Sequence, residues 1–110
     1  MQPLPVIFRT DREGETTAVF PTICEDSAGR LMRCYSHVGQ HGTCSRAWFD
    51  KTRRATAEES RDLLRELRDI YTHRPAKDPP VALEVRQRIT PQMRREFMAS
   101  FYRNTAEAAE

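Results

Sequence analysis

The chain has 110 residues, 38% of them apolar and 31% charged, and its 18 basic and 16 acidic residues leave a net charge of +2. This length holds one domain with one core, the apolar share is too high for a disordered chain, and the near balance of charge gives little long-range steering toward a polyanion. No apolar run approaches the roughly 18 residues of a membrane span, the N-terminus lacks the pattern of a secretory leader, and three cysteines leave one thiol over in any disulfide scheme.

The expectation is a cytoplasmic protein with reduced thiols and no membrane contact. Only Lys51 and Lys77 are lysines among the basic residues. The remaining arginines favour planar, multi-donor contacts to carboxylates or phosphates.

Met1 to Pro5 reads as an extended arm. Val6-Ile7-Phe8 is apolar on both faces, the mark of a central strand covered on both sides. Asp11 to Gly14 supplies a turn, with Gly14 suited to a positive φ. Thr16 to Phe20 returns as a second strand that stops at Pro21, completing a hairpin. A second polar turn at Glu25–Gly29 leads into a third strand from Arg30 to His37, with Leu31, Arg33, Tyr35 and His37 on one face and Met32, Cys34 and Ser36 on the other. Gly42 to Arg54 has no clean period and reads as a loop.

Thr56-Ala57-Glu58-Glu59 is a capping box, opening a helix over about 57–72 that sets Leu63, Leu64, Leu67, Ile70 and Tyr71 on one face and pairs Arg65 with Asp69 outside. Prolines at 75, 79 and 80 mark a stiff connector. Val81 to Ile89 alternates as a fourth strand. Thr90-Pro91 opens a second helix with a stripe of Met93, Phe97 and Phe101, and the chain frays from Asn104.

These elements make an α+β domain, β-β-β-α-β-α, with a small four-stranded mixed sheet in order 3-2-1-4 and two helices. Residues 1–89 carry the sheet and first helix, and 90–110 add the C-terminal helix to the same domain. Burying its stripe within the chain predicts a monomer.

Chemistry concentrates between Cys34 and Cys44, which holds two of the three cysteines and two of the three histidines. Cys34, His37, His41 and Cys44 are zinc-type ligands at spacings of three, four and three. However, no C-x₂-C knuckle is present, and a continuous strand would point Cys34 and His37 to opposite faces. A pair of histidines could also serve as acid and base for hydrolysis, with Ser36 or a thiol as nucleophile, but no local carboxylate orients either ring.

Binding is the leading reading. His37, Gly39, Gln40, His41 and Gly42 form a turn open to close approach. Arg46, Trp48, Arg53 and Arg54 follow as a basic segment with an aromatic, fit to contact a protein or a single-stranded nucleic acid.

Val6-Ile7-Phe8-Arg9, Ala18-Val19-Phe20-Pro21, Tyr35 with His37-Val38-Gly39-Gln40-His41-Gly42, and Lys51-Thr52-Arg53 with Ala55-Thr56 and Glu58-Glu59 resemble a group of short uncharacterised bacterial and phage-associated proteins. The resemblance runs from about Pro5 to Leu67 and weakly into the Val81–Ile89 strand. It brings no activity with it. The group keeps the two histidines but not these cysteines, which shifts interest from zinc to His37, Gln40 and His41. The expected function is a cytoplasmic binding module without cofactor or catalytic activity, acting through the 37–42 turn and the 46–54 segment. The alternative is a zinc-binding or metal-assisted hydrolytic site at His37 and His41.

Overall fold

Strand β1 (Leu4–Thr10) buries Val6, Ile7 and Phe8, and it has partners on both edges. The structure is a computed structural model describing residues 3–36, 41–73 and 80–109, with side chains to residue 104. Strand β2 (Thr16–Cys24) returns antiparallel to β1, pairing Ile7 with Val19 and Thr10 with Thr16. The turn between them depends on Gly14 at φ +84° and on Asp11 Oδ1, which accepts the amides of Glu13 and Glu15 at 2.9 and 3.0 Å.

Strands β3 (Leu31–Tyr35) and β4 (His41–Ser45) continue the antiparallel sheet outward. A short helix α1 (Arg46–Lys51), a two-residue strand β5 (Arg53–Arg54), helix α2 (Ala57–Thr72), strand β6 (Leu83–Arg86) and helix α3 (Pro91–Ala109) complete the chain.

The sheet order is β4-β3-β2-β1, and β5 and β6 share the remaining edge of β1. β6 runs parallel along Leu4–Ile7, while β5 pairs antiparallel with Arg9 and Thr10. The first three strands and the strand after α2 thus stand in the expected order, but among the described residues the sheet has six strands rather than four, with three helices rather than two.

The additional elements lie in the stretch read as a loop. β4 has one buried residue, Cys44, and α1 has one, Phe49, so neither leaves a periodic apolar trace. Other boundaries also move. β2 passes through Pro21 to Cys24, because the β2–β3 register shifts between Phe20 and Cys24 and the irregularity tolerates a proline. The strand expected over 81–89 is confined to Leu83–Arg86, and α3 continues to Ala109 instead of fraying at Asn104. The third strand ends at Tyr35.

Side-chain alternation along the strands creates two cores. On one face Val6, Phe8, Ala18, Phe20 and Tyr35 meet Leu63, Leu67 and Tyr71 of α2. Each buried leucine there contributes roughly 1.5–3 kcal/mol of transfer free energy. On the other face Ile7, Val19, Met32, Cys44 and Phe49 form a second cluster, with Trp48, Ile89 and Phe97 packed against it.

The capping box of α2 is complete, Thr56 Oγ1 accepting from the Glu59 amide at 3.1 Å and Glu59 accepting from the Thr56 amide at 2.9 Å. Arg65 does not pair with Asp69, whose carboxylate takes His73 at 2.9 Å instead. No helix among the described residues is long and apolar enough to cross a membrane.

Candidate functional site

His41 opens β4 opposite Tyr35, on the face that α2 covers. Its Nε2 lies 3.0 Å from the Tyr71 hydroxyl, and its ring stands 5.0 Å from Tyr35 and 6.0 Å from Phe20, centroid to centroid. The Tyr35 hydroxyl donates to Glu66 of α2. Desolvation, reinforced by the nearby Arg33 cation, holds His41 below the ordinary imidazole value. His37, Gly39 and Gln40, the rest of the expected turn, lie outside the described residues; Gly42 is exposed on β4.

Cys34 and Cys44 point to the opposite face. The β3–β4 register sets Cys34 against Gly42 and Met32 against Cys44, so the two thiols are diagonal neighbours. The Cys44 hydrogen bond pulls the Cys34 thiol below its usual range, and the same bond with burial pushes Cys44 up. Strand alternation therefore separates His41 from both cysteines. Among the described residues no group of three or more His, Cys, Asp or Glu side chains is placed to hold a metal ion.

Half of the cations in the basic segment are paired within the chain. Arg46 pairs with Asp50 at 3.1 Å, and Arg53 grips Glu59 through two bonds at 2.6 and 2.8 Å. Trp48 is half-buried against the Ile7–Val19 cluster and so is no open stacking platform. Arg9, near the end of β1, lies 4.4 Å over the Phe49 ring and donates to Thr52 Oγ1 at 2.9 Å, tying down the end of α1. Of the four cations between residues 46 and 54, Arg54 and Lys51 form no ion pair among the described residues.

A cleft that sequence reading missed lies between α2 and β6. It encloses about 470 Å³ above a floor of Phe8, Leu64 and Val85, and Arg61, Arg65 and Arg68 line its helical wall. These arginines, at i, i+4 and i+7, fall within about 60° on the helix, beside the buried stripe. All three are exposed and form no ion pair among the described residues. Arg86 also borders the cleft, but its guanidinium is held by Glu84 at 3.0 Å. The signal was present in the sequence as that arginine spacing; the expected Arg65–Asp69 pair concealed it. No protein-family model matches the chain, and neither does any curated protein or solved structure.

Proposed function

We propose that the protein is a small binding module, without catalytic activity of its own, that holds an acidic segment of a partner protein in the cleft between α2 and β6. The observation carrying this reading is the row Arg61, Arg65 and Arg68, three cations on one wall with no acidic partner among the described residues. A guanidinium presents a planar fork of donors matched to a carboxylate, and successive helical turns repeat that fork along the wall.

Two further features suit a polypeptide. Among the described residues β6 pairs only with β1, so its outer edge offers backbone donors and acceptors to an added strand. Val85, 39% exposed, offers an apolar contact beside that edge. A nucleic acid would want an exposed ring for stacking, yet Phe8 on the cleft floor is only 5% exposed. The 46–54 segment expected to make the contact ends where the cleft begins, since Ala55 lines it. The zinc or hydrolytic alternative would use His37 and His41. The bond from His41 to Tyr71, and its placement away from Cys34 and Cys44, favour binding over chemistry.

The test is fluorescence anisotropy of a labelled peptide that alternates Glu with Val, against a Lys–Val peptide and a single-stranded oligonucleotide of equal length. Exposed ion pairs contribute roughly 0.2–1 kcal/mol each, so Arg61→Gln/Arg65→Gln/Arg68→Gln should weaken the acidic peptide about tenfold. Added salt should weaken it further. Preference for the oligonucleotide, or a triple variant that binds like wild type, would refute the reading.

A further inference from the structure

The second face of the sheet carries a different cleft, lined by none of the residues of the α2–β6 cleft. Where α3 crosses the sheet it leaves an opening of about 550 Å³ whose floor is Met32, Ile89, Phe97 and Met98. Met32 is 5% exposed and Met98 38%, so the floor grades from core to solvent. Unbranched thioether side chains suit such a floor because they adapt to an occupant's shape. The volume falls within the range of small-molecule sites, roughly 300–1,000 Å³, which are mainly apolar with a few placed polar groups.

Those polar groups are cationic. Arg30, Arg46 and Arg94 line the cleft, from the β2–β3 turn, α1 and α3. Arg46 is neutralised by Asp50 at 3.1 Å. Arg30 and Arg94 are exposed and form no ion pair among the described residues. The nearest carboxylate in sequence to Arg30, Asp26, spends its Oδ1 on the backbone amides of Arg30 and Leu31 at 2.9 Å each.

The geometry points to a binding site for a small anionic amphiphile, its apolar body lying on Met32, Ile89, Phe97 and Met98 and its single anionic head held by Arg30 and Arg94. An apolar floor alone would accept any greasy molecule. The two guanidinium groups, without an ion pair among the described residues, select the sign of the head, and their fork geometry suits carboxylate and phosphate alike. The position of Arg30 is set by the backbone. Gly29 before it has φ +71°, and a Cβ there would stand 3.3 Å from the Phe101 ring of α3, so the turn and the helix fix one another.

The experiment is isothermal titration of the full chain with octanoate, decanoate, decyl phosphate, decanol and decyltrimethylammonium, each below its micelle concentration. Decanoate should bind one to one. Each added methylene should tighten binding about fourfold, the ratio that ~0.8 kcal/mol corresponds to, so decanoate should exceed octanoate about fifteenfold. The decyl phosphate arm reports which head is preferred, and binding of either head supports the site.

Arg30→Gln/Arg94→Gln should weaken decanoate at least tenfold and leave decanol unchanged. Met98→Glu, at a position 38% exposed, should weaken decanoate and decanol together. Arg61→Gln/Arg65→Gln/Arg68→Gln should change nothing here, which separates this site from the α2–β6 cleft. Equal binding of the cationic amphiphile, indifference to the double variant, or no binding would overturn the proposal. So would a dimer in light scattering that Met98→Glu dissolves, since the cleft would then be covered by a second copy.

Discussion

The carboxylate of Glu59 ties three elements together. It closes the capping box of α2 on the Thr56 amide, takes Arg53 of β5 in a two-bond grip, and accepts from Thr10 of β1 at 3.3 Å. The Arg53 bonds first, and the Thr56 amide next, hold its carboxyl down to about 2, against an ordinary value of 4.5. A carboxylate depressed by folding stabilises the fold fully above its unfolded pKa and loses that contribution as pH falls through the folded one. Thermal melts of the wild type should therefore decline between about pH 4.5 and pH 2. Glu59→Gln should melt lower at pH 7 and decline less steeply across that window. An unchanged acid limb would remove Glu59 as its source. The capping box could be read directly from Thr56 and Glu59, because both partners lie within one turn. Arg53 as a partner could not, since its position depends on β5 reaching the far edge of β1.

At the scale of elements, α3 completes β2 where the sheet cannot. Beyond the irregularity, the Cys24 amide donates to Ser100 Oγ at 3.2 Å and its carbonyl accepts from Asn104 Nδ2 at 2.9 Å. Two helix side chains thus stand in for a neighbouring strand. Cys24 is fully buried and Ser100 is 7% exposed, so Ser100→Ala leaves an amide unsatisfied. Loss of about 1–3 kcal/mol in denaturant melts is the expected outcome; a change within ±0.5 kcal/mol, typical of neutral surface positions, would contradict it. The C-terminal helix was legible from Thr90-Pro91 and from Met93 and Phe97, which carry the apolar period. Thr90 Oγ1 accepts from the Met93 amide at 3.2 Å, as an N-cap should. Its grip on β2 was not legible, because Ser100 and Asn104 look like ordinary polar helix residues until the sheet irregularity is known. β4 was hidden for another reason. An edge strand reading His-Gly-Thr-Cys-Ser has no pair of large apolar residues to alternate.

At the scale of the whole molecule, the sheet divides the chain into two chemical environments. One face is closed by α2 and bordered by the arginine cleft, with His41 and the tyrosines at its far edge. The other is closed by α1 and α3, with both thiols of the β3–β4 pair beneath. The zinc-type ligands Cys34, His41 and Cys44 are close in sequence but not on one face, because a strand sends alternate residues apart and His41 stands on the face opposite both thiols. The two-sided apolar run Val6-Ile7-Phe8 was the reliable guide, since a strand buried on both faces requires cover on both. In the basic segment at 46–54 the sequence shows charge but not its partners: Arg46 and Arg53 pair internally, while Arg54 and Lys51 form no ion pair among the described residues. The most direct test of the acidic-segment reading is amide chemical-shift mapping of the isotopically labelled 110-residue chain titrated with the Glu–Val peptide. Saturable shifts confined to residues 60–68 of α2 and 83–87 along β6 are the predicted result, whereas shifts centred on 41–54, or none at all, would contradict it.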